Sequence, residues 1–261
     1  MSLPDYRITG YVPGSDLIED YFEMVTASDN LLTTVAEHHS VDGRDSYLLL
    51  YDAAAIYDYP GAPAYVAMRI TRDPERQVFD FTHSTHPLVP LAQSRLIEEG
   101  CPPDLIEVTN PHGPRPADAL TSRLEGLLKA NSKDRYRVLD HFTDNPGSFD
   151  FGTETWTLLH DRHPDSADAP YRLFLEEVTK DFRTYTVREG AFTSAEEADA
   201  WVAERNTPLP KAPEPHAGPR ANAARARTTT AGVRPGIPPA PVVAPGQSGH
   251  TTPAPNRRGT R

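Results

Sequence analysis

Asp140, His141, Asp144 and Glu154 surround a glycine-rich loop over residues 144–152 that also holds Asp150. Two carboxyl groups facing one another, one protonated and one ionised, are what glycoside hydrolysis uses. Phe149, Phe151 and Trp156 stand beside these acids, and aromatic faces suit sugar rings. The same residues also describe a hairpin loop whose strand aromatics turn to the core. Acids are common throughout this chain, so Asp140, His141, Asp150 and Glu154 are candidates without a complete catalytic set.

Other chemistry is less well supported. His83 and His86 are three residues apart where a strand is expected to pass into a helix, and two imidazoles can share a metal. No acid stands near them to complete a known pattern, so neither metal nor cofactor is expected. The adjacent His38 and His39 point to opposite sides of a strand. Cys101 follows the helix stop Gly100, at a helix C-terminus whose dipole disfavours a thiolate, and reads as packing. Asp150-Phe151-Gly152 matches a protein-kinase tripeptide, but Arg69 stands where the lysine is needed and no glycine-rich phosphate loop precedes it. Phosphate-binding and dinucleotide-binding glycine motifs are missing from the sequence.

Charge divides the chain more sharply than any motif. The net charge is −11 over 261 residues. Residues 207–261 carry eight Lys/Arg against one acid, hence +7, and the preceding 206 residues therefore carry −18. The basic segment holds 12 of the 27 prolines and no aromatic residue. It has too little apolar surface to offset its chain entropy, which predicts a disordered tail. With no apolar run near ~20 residues, no basic-then-apolar start and a single cysteine, the expectation is a cytoplasmic protein with no membrane contact.

The positioning elements follow from periodicity. Ser15 caps a helix over 15–25 with Leu17, Ile18, Tyr21, Phe22 and Val25 at helical spacing. Strands are predicted over 31–37, 46–56, 64–71 and 77–82, with a helix over 87–99 that stops at Gly100. After a loop over 103–116 the order restarts. A helix is predicted over 117–130, strands over 135–142, 154–160, 171–178 and 183–188, and a helix over 194–205. The crowd of Tyr47, Tyr51, Tyr57, Tyr59 and Tyr65 has the interleaved aromatics of a binding surface, and is read in preference as a central strand packed on both sides. The expected class is α+β, with antiparallel sheets and flanking helices in two similar halves, 1–103 and 117–206. A spacing of 106 residues aligns their ends, so that Phe79 meets Tyr185.

The functional expectation is a non-enzymatic binding or adaptor protein with a regulatory tail, and its partner is another protein. A hydrolase built on the 144–154 region, and a nucleic-acid accessory protein acting through the tail, are the alternatives. Arg220, Arg225, Arg227, Arg257, Arg258 and Arg261 are the candidate tail contacts. As a coil the tail extends about 40 Å root-mean-square, so it can fold back onto the acidic body. If it does, the scattering radius of the full chain should grow with salt more than that of a chain ending at residue 206. Equal salt responses would show that the tail does not dock.

Overall fold

The computed structural model describes residues 3–108, 113–131, 135–144 and 152–213. Phe149, Asp150, Phe151 and the six tail arginines lie outside the described residues.

The first half runs β1 (Val12–Pro13), α1 (Asp16–Thr26), β2 (Leu32–His39), β3 (Asp45–Asp52), β4 (Tyr65–Asp73), β5 (Val78–His86) and α2 (Val89–Glu98). The second runs β6 (Arg115–Pro116), α3 (Ala119–Ala130), β7 (Tyr136–Asp144), β8 (Glu154–Asp161), β9 (Tyr171–Val178), β10 (Thr184–Phe192) and α4 (Ala195–Glu204). Each half forms a five-stranded sheet, ordered β1-β5-β4-β3-β2 and β6-β10-β9-β8-β7. The α+β class holds, with one correction. The sheets are mixed, because β1 pairs parallel with β5 and β6 parallel with β10. These two-residue strands are too short to leave a periodic signal. Strand β5 also runs past the expected end at residue 82, through His86.

The halves repeat in backbone detail. Val12 N donates to Gln77 O and Arg115 N to Arg183 O, both at 2.9 Å. Ser15 caps α1 by accepting from Ile18 N, and Asp118 caps α3 by accepting from Thr121 N. Both β2 and β7 carry a bulge, at Val35 and at Leu139. Asp52 and Asp161 each close the strand they end, accepting from Ala54 N at 2.7 Å and His163 N at 2.9 Å.

Helices cover both faces of both sheets. Phe22 of α1 packs with Leu48, Leu50, Met68 and Phe81 on one face of the first sheet. Ala92 and Leu96 of α2 pack with Tyr47, Leu49 and Ala67 on the other. Residues Tyr47–Leu50 are therefore buried without alternation, as a strand covered on both sides requires. Leu91 of α2 and Leu88 at its cap meet Leu124 and Leu128 of α3 over Leu159, Phe174 and Val187 of the second sheet. Ala198 of α4 packs on Leu158 and Leu173 beyond it. The layers run α1, first sheet, α2 with α3, second sheet, α4. Among the described residues no helix is long and apolar enough to cross a membrane.

Candidate functional site

The α2–α3 layer does not fill the space between the inner faces of the two sheets. What it leaves is a cavity of about 1290 Å³. Tyr51 and Tyr65 reach it from directly opposed positions of β3 and β4, with ring centroids 5.8 Å apart. Tyr57 and Tyr59 line it from the connection after β3, and Phe142, Phe182 and Tyr185 from the second half. That connection is clamped across the cavity. Thr143 N donates to Gly61 O at 3.3 Å, and a Cβ on Gly61 would lie 2.3 Å from the Phe142 ring. Gly61 also has φ +83°, so only glycine suits the position. Phe182 is held at φ +52°, uncommon for a bulky side chain, in the β9–β10 turn at the cavity rim.

Among these rings stand two carboxyl groups. Glu176 is on the face of β9 that also presents Arg172 and Phe174, and it is 7% exposed. Glu125 belongs to α3, where Thr121 Oγ1 accepts from Val187 N at 3.1 Å and fixes the helix against β10. Tyr185 Oη donates to a Glu125 carboxylate oxygen. The Glu176 carboxyl has no hydrogen-bond or ion-pair partner among the described residues. Burial first, then the charge of Glu125, pushes Glu176 up to about 8. Burial also raises Glu125, opposed by the Tyr185 bond. Burial first, then the charge of Glu176, holds the Tyr65 hydroxyl well above the usual tyrosine range. At neutral pH the cluster therefore keeps a proton that glutamates in water have lost.

The fold itself does not call for these groups. The repeat sets Phe22 against Glu125, Ile70 against Glu176 and Phe79 against Tyr185. In the first half all three positions are apolar and belong to one core, with the Phe22 and Phe79 rings 5.2 Å apart. The same backbone positions thus build a dry core in one half and an ionisable cluster in the other.

Four of the tyrosines expected in a central strand, Tyr51, Tyr57, Tyr59 and Tyr65, line the cavity, but the catalytic and metal candidates singled out in the sequence lie elsewhere. Asp140 is exposed and accepts from the adjacent His141 N at 2.8 Å. Glu154 pairs with Arg205 at 2.7 Å, at the end of α4 on the opposite side of the second sheet. Asp144 reaches only the cavity lining. The described acids of the 144–154 region are therefore not gathered into one site. His83 and His86 both lie on β5, where a spacing of three turns them to opposite faces. His83 sits 5.0 Å from the Tyr21 ring, while His86 Nε2 is 2.8 Å from Ser84 Oγ and burial lowers its imidazole to about 4. No cluster of three or more potential metal-ligating side chains occurs among the described residues. Cys101 is buried, and burial raises its thiol to about 11.

Glu125 and Glu176 were missed for a physical reason. In Tyr171–Val178 both faces are covered, so Leu173 and Leu175 are as apolar as Phe174 and alternation does not reveal which glutamate turns inward. The available signal was the internal alignment, in which Glu176 takes the place of Ile70.

Folding raises the Glu176 pKa, so the native state binds the extra proton from the ordinary glutamate range up to about 8. Stability must fall as pH rises through that window, and the penalty is absent below it. Glu176→Gln should therefore be near neutral at pH 4 and stabilising by about 2–4 kcal/mol near pH 8. Urea unfolding of both proteins at the two pH values checks this, and an equal effect at both would contradict it. Comparison with protein-family models, curated proteins and solved structures finds no match to this chain in any of the three.

Proposed function

We propose that this chain is a non-enzymatic binding protein that holds a small molecule with an apolar body in the cleft between its two halves. One observation carries the reading. A cavity of about 1290 Å³ lined by aromatic rings encloses a buried carboxyl group, Glu176, with no partner among the described residues. Apolar clefts with a few placed polar groups, lying between compact units, are where small ligands bind. The Glu176 carboxyl opens onto the cavity, and a ligand's polar group that meets it there supplies the partner that the described residues do not.

Gly126 offers a clean test. It lies within α3 and lines the cavity, and a Cβ there meets nothing within 4 Å. Gly126→Phe should place a ring on the cleft wall, taking up part of its volume, and raise stability by about 0.5 kcal/mol through helix propensity. The neutral fluorophore N-phenyl-1-naphthylamine should bind the native protein at one site and lose at least tenfold in affinity to Gly126→Phe. Unchanged binding in a folded variant would place the ligand elsewhere and defeat the reading.

A further inference from the structure

Within the cleft reading, we propose that the ligand carries an organic cation, an ammonium or quaternary ammonium group, seated between the carboxyl groups of Glu176 and Glu125 and the rings of Tyr65 and Tyr185.

The polar groups of the cluster are unequally satisfied. Tyr185 Oη donates to Glu125, which leaves Glu176 as the open site. A carboxyl group among tyrosine faces offers a cation two attractions together, a charge-assisted contact and the negative faces of the rings. The remaining lining has the same sign preference. Asp58, Glu107 and Asp144 join Glu125 and Glu176 around the cavity, against Lys129 and Arg115. Lys129 Nζ is already taken by Glu107 Oε1 at 2.5 Å. Among the described residues an anion entering here would meet five acids against two cations, of which Lys129 is already engaged by an acid. The −18 of residues 1–206 extends the preference outward, concentrating cations near the mouth.

Binding is then coupled to a proton. The groups facing Glu176 are Glu125 from α3, Tyr185 from β10 and Tyr65 from β4, with the two cations and three further acids already named around the cavity. None of the three facing groups is a cation able to hold Glu176 ionised at neutral pH. An arriving ammonium does so. The O–H bond of the Glu176 carboxyl breaks, its proton goes to solvent, and the carboxylate stays as counter-ion to a ligand whose own bonds are unchanged. The apolar remainder of the ligand lies against Tyr51, Tyr57 and Phe182. In the first half, Phe22, Ile70 and Phe79 at the equivalent positions exclude such a group.

Calorimetric titration of the full chain with benzyltrimethylammonium and with its uncharged isostere neopentylbenzene, each in two buffers of different ionisation enthalpy at pH 7, tests the proposal. The cation should bind at least tenfold more tightly, release close to one proton, and lose at least tenfold in affinity in Glu176→Gln, with Glu125→Gln showing a smaller loss. Equal binding of the two probes, no proton release, or indifference to both substitutions would overturn it. If N-phenyl-1-naphthylamine still binds while the cation does not, the charge assignment fails and the cleft reading stands. If none of the three probes binds, both fail.

Discussion

The packing of α2 against α3 sets everything else in the described structure. Leu88 and Leu91 on one side and Leu124 and Leu128 on the other pack together between the two sheets. This layer fixes how far apart the inner faces stand, and therefore that a cleft remains beyond it. It also explains why α2 is buried almost all round. Pro90, Leu91, Ala92 and Leu96 are buried, and so is Gln93, whose Nε2 donates to Ile106 O at 2.7 Å. The equivalent helix α4 has no such neighbour, and Glu196, Glu197 and Asp199 stand exposed on it.

The two halves share a backbone and differ in what they bury. The second half carries an ion network on the same inner face as Glu176. Arg135 pairs with Asp161 at 2.6 Å, and Arg172 lies 3.9 Å from Asp161 and 3.6 Å from Glu189. These charges are paired, as buried charges must be, and they lie at the far end of the sheet from the cleft. Glu176 has no such partner among the described residues and keeps its proton at neutral pH instead, in a place where the first half shows that an isoleucine would serve. Stability is therefore lower than the fold allows, in the place where a ligand has room to enter.

Much of the architecture was legible because it rests on local chemistry. Ser15, the Gly100 stop and the helical apolar spacing each act within a few residues, and the repetition of the order followed from them. The short parallel strands were not legible, because two residues have no period. Neither was the length of β5, since His83-Ser84-Thr85-His86 is polar and reads as a turn until Tyr65 and Met68 pair with it. The site was harder still. Clustering of acids near residue 150 drew attention to Asp140 and Glu154, but proximity along a hairpin does not decide which face a side chain takes. Glu125 and Glu176 are 51 residues apart and meet only because α3 packs on β9 and β10.

A crystal structure of the full chain with benzyltrimethylammonium is the most direct measurement of the central claim. The account predicts the ammonium against the Glu176 carboxylate and within about 6 Å of the Tyr65 or Tyr185 ring centre, with the α2–α3 packing unmoved. An ammonium bound outside the cleft, or a collapsed cleft in which Glu176 bonds to another side chain of the protein, would contradict it.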